Sequence, residues 1–176
     1  SGAGQTGGRI VTTGKNVTLA SGSVTDASGA AGGGQVLVGG GWQGKDATIA
    51  TAGSVTQQAG AAIKVDATAN GTGGTAVLWS ADATRMDGTI SARGAGSGTG
   101  GQVETSSKGV LGLGGNVDVA ADSGKGGNWL LDPANLDVTT TGSALVGNTN
   151  GTNNTVSNTS IQTALNAGGT TVDTVS

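Results

Sequence analysis

The segment GGQVETSSKGVLGLGGNVDVAADSGKGGNWLLDP, from Gly100 to Pro133, contains the repeat on which the fold depends. It begins with a Gly-Gly pair before an apolar segment and meets another such pair at Gly126-Gly127. Across the chain, the sequence spacings between successive pairs of this kind are 26, 40, 27 and 26 by subtraction. A period near 26, with one repeat longer by about 13 residues, indicates a repeat architecture. The pairs end at Gly8, Gly34, Gly74, Gly101 and Gly127.

The composition favours a thin, repeated core. The 176 residues include 37 Gly, one Pro, three Trp and no Cys, His, Tyr or Phe. Large aromatic side chains supply much of the buried area of an ordinary core, so this core has to be built from Val, Ile, Leu and Ala. Such a layer suits a solenoid, in which each repeat contacts its neighbours. A disordered Gly-rich linker is the competing interpretation, but linkers do not place apolar residues in register after each Gly-Gly pair.

The charge pattern disfavours several classes of partner. Eight basic and 11 acidic residues give a net charge of −3, and no run of Lys or Arg marks a nucleic-acid surface. No apolar run approaches the roughly 18–20 residues of a membrane span. No signal peptide is visible at Ser1, so we expect an exported protein to carry this chain as an internal fragment.

Short alternating segments rich in Val, Thr and Ile predict strands. The fourth repeat supplies three of them, at 102–105, 110–113 and 116–120. Three strands per repeat of about 26 residues make one coil of a parallel β-helix, because each strand pairs with its equivalent in the next coil. We therefore predict an all-β fold with β-helix repeats over residues 1–138 and an excursion at about 41–53.

The character of the chain changes beyond these repeats. Over residues 139–176 the sequence predicts the end of a strand and an irregular loop, then a short helix at about 160–167, and finally the start of a further, truncated strand. The segment SIQTALNAGG, from Ser160 to Gly169, carries the helix pattern, with Ile161, Ala164 and Leu165 on one face.

Stacking the repeats assigns faces to the strands. Asp26 falls at an inward position, where a buried carboxylate is costly, so a distorted first coil is expected. The inward residues of the first strands are Ile10, Val36, Ala76, Val103 and Trp129, and those of the third strands are Val24, Ile63, Ile90 and Val117. An outward file that needs a cover comprises Val11, Leu37, Val77, Glu104 and Leu130.

Two further expectations concern the outer surface. The excursion carries Trp42, and we expect it to fold back over Leu37 and Val77. Packing is one role for Trp42, and stacking against a sugar is the alternative, which makes Trp42 a candidate glycan contact. Asp66 and Arg93 occupy equivalent places in consecutive coils and are expected to form an ion pair.

Candidate chemistry is sparse. Without His or Cys, a Ser-His nucleophile and a thiol are unavailable, and the carboxylates are not spaced for a metal, so no catalytic, cofactor or metal residues are predicted. Asp82 and Asp87 could flank a substrate, as in polysaccharide-cleaving β-helices, but a solvated turn around Arg85 is the simpler interpretation. Pro133 is expected to end a strand.

Several segments resemble the large filamentous-haemagglutinin-like exoproteins. They are VLVGGGWQGKDA (36–47), AVLWSADATRMDGTISARGAGSGTGGQVETSS (76–107), GGNWLLDPANLDV (126–138) and SIQTALNAGGTTV (160–172). The resemblance implies a right-handed parallel β-helix within a Gram-negative cell-surface adhesin, exported through an outer-membrane transporter by two-partner secretion. It also implies that the family's secretion signal lies in an N-terminal domain outside this chain.

Three functions follow, from different classes. The first is a structural stalk or scaffold segment of a secreted adhesin that mediates attachment or biofilm cohesion. The second is a carbohydrate-binding module within such an adhesin, holding a polysaccharide, host glycan or receptor. The third is a polysaccharide-degrading enzyme, for which the charged residues are too dispersed; we therefore predict no enzymatic activity.

Overall fold

The chain folds into a parallel β-solenoid of about five turns. The computed structural model describes residues 4–133, 136–139, 154–166 and 171–174. Within these residues the named strands pair in parallel, in a sheet of 11 strands and a sheet of four. The strands are β1 Arg9–Thr12, β2 Asn16–Leu19, β3 Val24–Asp26, β4 Gln35–Val38, β5 Ala52–Gln57, β6 Ala62–Lys64, β7 Thr75–Met86, β8 Thr89–Ser91, β9 Gln102–Ser107, β10 Val110–Leu113, β11 Asn116–Asp118, β12 Asn128–Pro133, β13 Leu136–Thr139, β14 Asn154–Ser157 and β15 Thr171–Thr174.

The predicted register of the first strands is confirmed. In β1, β4, β7, β9 and β12 the five predicted inward residues are successive partners. Four of them are fully buried, whereas Ile10 in the first coil is half-buried. The interior is a continuous cluster of Val, Ile, Leu and Ala with Met86 and Trp129 added. The thin aliphatic core inferred from composition is therefore the one observed.

The Gly-Gly pairs let successive coils approach closely. A Cβ atom built at Gly34 would lie 2.0 Å from the carbonyl oxygen of Gly8, and one at Gly101 would lie 2.1 Å from that of Gly74. No side chain fits at such distances from backbone. The repeat spacing thus marks the positions where backbone stacks on backbone.

The predicted face assignment of the first coil's third strand is wrong. Val24 pairs with Ala62 rather than Ile63, and its side chain is 60% exposed. Thr25 takes the position opposite Ile63. Because side chains alternate along a strand, a slip of one position exchanges the two faces.

The length of the excursion explains the error. Arg9 pairs with Gln35 at a sequence separation of 26, whereas Asn16 pairs with Ser54 at a separation of 38. By subtraction, the excursion lengthens the separation of paired residues by 12 positions. The Gly-Gly spacings of 40 and 27 imply a lengthening of 13 positions, which is one too many. An alignment based on the glycines alone therefore places Val24 opposite the wrong neighbour.

Asp26 consequently faces solvent, so the predicted inward carboxylate is also wrong. It is exposed and lies opposite the exposed Lys64. The hydroxyl and backbone N–H of Ser28 hydrogen-bond to Asp26 and lower the pKa of its carboxyl, with a smaller contribution from Lys64. The first coil keeps its three strands.

The C-terminal elements add to the same structure. The helix α1 spans Asn158–Asn166, beginning slightly before the predicted start, and packs against β11, β14 and β15. Ala164 is buried in the main core and Ile161 packs against it, whereas Leu165 is 47% exposed. Strand β14 pairs with β10 and β13, and β15 pairs with β12. The irregular loop predicted between β13 and the helix lies mostly outside the described residues, and the part that is described contains β14.

Candidate functional site

The outer face of the large sheet carries the file that the sequence placed there. Leu37, Val77, Glu104 and Leu130 are register partners in β4, β7, β9 and β12, and we call them the outer file. All four are buried, although they point away from the main core. Val11, their equivalent in β1, is 39% exposed. Part of the outer surface is therefore covered, and the first coil is not.

The cover is the excursion, residues 39–51 in the structure. It leaves the sheet at Gly39, whose φ is +77°, and makes a 3-10 turn at Trp42–Gly44. It returns at Ala52, whose N–H donates to the carbonyl of Gly39 at 2.7 Å. The covered apolar cluster consists of Leu37, Ile49, Val77 and Trp79, with Trp42 packed against it. The prediction that the excursion shields Leu37 and Val77 is confirmed.

Trp79 lies at the centre of this cover. A Cβ atom at Gly44 would lie 2.3 Å from its Cζ2 atom, and one at Gly40 would lie 3.0 Å from its Cε3 atom. The excursion can lie on the ring because it presents glycine there. The ammonium of Lys108 lies 5.6 Å from the ring centroid, a cation–π contact.

Trp42 is half-buried at the edge of the cluster. The structure therefore confirms that Trp42 packs against the covered apolar cluster. The role of Trp42 as a glycan contact stays a prediction, since packing against Leu37 and its neighbours leaves only part of the indole accessible.

Glu104 is the one charged member of the outer file, and the structure gives it a role that the sequence did not predict. It is fully buried, and its Oε2 atom accepts a hydrogen bond from the backbone N–H of Gln43 at 2.7 Å. Its Oε1 atom has no hydrogen-bond partner within the described residues. The only signal in the sequence is a carboxylate at a position otherwise occupied by Val and Leu.

The surroundings of Glu104 favour its neutral form. Burial raises the pKa of Glu104 to about 7 because it removes the carboxylate from water. The Gln43 N–H and the Ser106 hydroxyl act in the opposite direction. Asp132 raises the pKa further and Lys45 lowers it, each through its charge.

The ammonium group of Lys45 hydrogen-bonds to Gln43. Its Nζ atom donates to the side-chain oxygen of Gln43 at 2.7 Å. Gln43 itself has a φ of +54°, which is rare for a residue with a side chain. The turn is therefore held in a strained conformation that directs the Gln43 N–H at Glu104.

Asp82 and Asp87 do not form the predicted turn. Strand β7 runs through Asp82 without interruption to Met86, with a bulge opposite Ala52 and Ser54. Asp87 makes an ion pair with Arg85, and Asp82 lies beside Gly53. The alternating strand continues because the bulge absorbs the extra residue.

The predicted ion pair between Asp66 and Arg93 is wrong. The two residues do lie in consecutive coils, but Asp66 accepts the backbone N–H of Arg93 at 2.7 Å and the hydroxyl of Ser91. The guanidinium of Arg93 reaches the following coil, where it pairs with Asp118 at 2.8 Å and Asp122 at 3.5 Å. Arg93 can bypass its nearest carboxylate because its side chain is longer than one strand spacing.

The chain has no His or Cys. Among the described residues, no group of three or more acidic side chains is placed so that it could hold a metal ion. In the same residues, no helix has the length and apolar character needed to cross a membrane.

The solenoid and its sequence are similar to a solved structure. The HMW1 secretion domain from Haemophilus influenzae matches with a TM-score of 0.56 and 33% sequence identity, covering 72% of this chain and 32% of that chain. The chain is similar to a secretion domain. It spans about a third of that domain's length. No protein-family model and no curated protein matches the chain. The match concerns a secretion domain, whereas the family resemblance had placed the secretion signal outside this chain.

Proposed function

We propose that the chain is a rigid scaffold segment of a large secreted bacterial adhesin of the filamentous-haemagglutinin-like type. The observation that carries this proposal is its similarity, in both fold and sequence, to the HMW1 secretion domain. The family resemblance of the sequence points the same way. A scaffold of this kind holds an attachment site away from the bacterial surface and contributes to attachment or biofilm cohesion.

The architecture supports a mechanical role. Backbone ladders run from one coil to the next along the whole described solenoid, and the core is continuous beneath them. Stability in such a structure comes from nearest-neighbour stacking, so load is shared among many hydrogen bonds. Side chains on the outer surface also link successive coils, as in the pair between Arg93 and Asp118.

The proposal includes a route of export and a location. An outer-membrane transporter would secrete the full-length protein by two-partner secretion, and the adhesin would act outside a Gram-negative cell, associated with its surface. A solenoid can emerge coil by coil, because each new coil has the previous one as a template.

A second candidate is that the chain forms part of the secretion domain itself. The name of the matched structure favours this candidate. Both candidates use the same fold, but they differ in what the transporter recognises.

Secretion from cells distinguishes the two candidates. The chain is directed to the periplasm, alone or fused behind a known two-partner secretion domain, with and without the matching outer-membrane transporter. A scaffold segment reaches the medium only in the fusion and only with the transporter. Export of the chain alone by the transporter favours the second candidate. Failure of both forms, with folded protein in the periplasm, contradicts both.

Glycan binding tests the remaining alternative. The folded chain is titrated with bacterial exopolysaccharides and host glycans, with Trp fluorescence as the readout and Trp42→Ala as the control. The scaffold proposal expects no saturable change. Saturable binding that Trp42→Ala abolishes while the circular dichroism spectrum stays intact would instead make the excursion a receptor site.

A further inference from the structure

The contact between Gln43 and Glu104 ties distant parts of the solenoid together. The two residues are 61 positions apart, and the bond joins the excursion of the second coil to β9 of the fourth. It anchors the turn at Trp42–Gly44 beyond its own coil, through a side chain rather than through a ladder. The excursion can therefore be released from the sheet without breaking a strand ladder.

Ionisation of Glu104 works against this closed arrangement. The Gln43 N–H bond is itself stronger to a carboxylate than to a carboxylic acid. The Gln43 N–H and the nearby Ser106 hydroxyl do not replace the hydration of two charged oxygens, because Oε1 has no partner at hydrogen-bond geometry within the described residues. Opening the excursion gives water access to both oxygens.

The charged groups around Glu104 do not offset this cost. From the excursion, Lys45 is the facing cation, and its Nζ atom is already bound to the Gln43 side chain. From β12, Asp132 adds a like charge. The ladder neighbours Val77 and Leu130 are apolar.

We propose that Gln43 and Glu104 form a latch controlled by protonation, which holds the excursion over the outer file when Glu104 is neutral and loosens it when Glu104 is ionised. The loosened state uncovers Trp79 with Leu37 and Val77, an apolar surface that is closed in the latched state. Release also frees Gln43 from its positive φ. Since the pKa of Glu104 is raised to about 7, the change falls near neutral pH.

Hydrogen exchange of the whole folded chain tests the latch. Amide exchange of residues 39–51 is followed from about pH 5 to about pH 8.5 and corrected for intrinsic exchange. The opening equilibrium of wild type is expected to rise about tenfold or more, because each unit of pKa difference is worth a factor of ten. Amides of β4 and β9 keep their protection, because their ladders stay paired.

Two variants separate the latch from general effects of pH. Glu104→Gln keeps the acceptor for Gln43 and cannot ionise, so its corrected exchange is expected to stay at the low-pH level throughout. Asp82→Asn removes an exposed carboxylate on β7 and is expected to behave as wild type. A rise with pH in Glu104→Gln equal to that in wild type, or no rise in wild type, overturns the proposal.

A titration of wild type keeps the test decisive if Glu104→Gln does not fold. The side-chain carboxyl carbon of Glu104, observed by NMR, is expected to titrate near neutral pH with the same midpoint as the exchange of residues 39–51. A midpoint near the ordinary glutamate value of 4.5 overturns the latch.

Discussion

Trp129 donates its indole N–H to the hydroxyl of Thr105 at 2.9 Å inside the solenoid. Both residues are fully buried. Thr105 stands between Leu78 and Leu131 in an inward file, and its hydroxyl is tolerated there because the indole of the next coil uses it. A polar pair thus joins the fourth and fifth coils within an aliphatic core.

Thr105→Val is expected to destabilise the chain by about 1–3 kcal/mol, because the buried indole N–H loses its acceptor while the volume is kept. Thr105→Ser retains the hydroxyl and removes only a methyl group, so it is expected to lose less. Urea unfolding of the variants checks this. Equal losses would show that packing, rather than the hydrogen bond, sets the cost.

Gly101→Ala is expected to disrupt stacking of the third and fourth coils. Its Cβ atom would lie 2.1 Å from the carbonyl oxygen of Gly74, and backbone cannot swing aside as a side chain can. We expect urea unfolding to show a loss of more than about 2 kcal/mol in the free energy of unfolding.

Gly8→Ala is the matched control for that variant. Gly8 holds the equivalent position in the first coil, where a Cβ atom meets nothing within 4 Å. Its effect is expected to lie within about 1 kcal/mol of wild type, and a small gain is allowed because Ala restricts the unfolded chain. A similar loss for both variants would contradict the close-approach argument.

Stability is expected to fall as pH rises because of Glu104. The pKa of this group is raised from 4.5 to about 7 in the folded state, so folding binds its proton more tightly. Its contribution is present below pH 4.5, declines as pH rises, and is lost above about pH 7.

Urea unfolding at about pH 5 and about pH 8 measures this decline. A loss of up to about 2 kcal/mol is expected, smaller if the excursion opens and relieves the buried charge. Glu104→Gln is expected to remove the pH-dependent part. The lowered pKa values of Asp26 and Asp46 do not interfere, because those carboxyls stay ionised throughout this range.

The surface partner of Arg93 can be identified by double-mutant cycles. Arg93→Gln combined with Asp118→Asn is expected to show a coupling of about 0.2–1 kcal/mol, as for exposed ion pairs. Combined with Asp66→Asn, it is expected to show almost none, because Asp66 binds the backbone of Arg93 rather than its guanidinium. Stronger coupling to Asp66 would contradict the observed pairing.

The sequence predicts the repeat because the residues that produce it are close neighbours along the chain. Each Gly-Gly pair marks a point where backbone meets backbone, and the apolar alternation after it marks the inward face. These two signals predicted the register from Ile10 to Trp129 and the need for a cover over Leu37 and Val77. They failed at Val24, where the position of a strand depended on the length of the excursion.

The parallel solenoid follows from the sequence alone, because periodic glycine and period-two alternation leave few other ways to bury this chain. The partners of side chains that reach between coils were settled by tertiary packing instead. The guanidinium of Arg93 binds Asp118 rather than the carboxylate of Asp66, and Glu104 accepts a hydrogen bond from a turn that is 61 positions away in sequence. Such contacts depend on the path of a non-repeating segment and on side-chain length, which a repeat period does not encode.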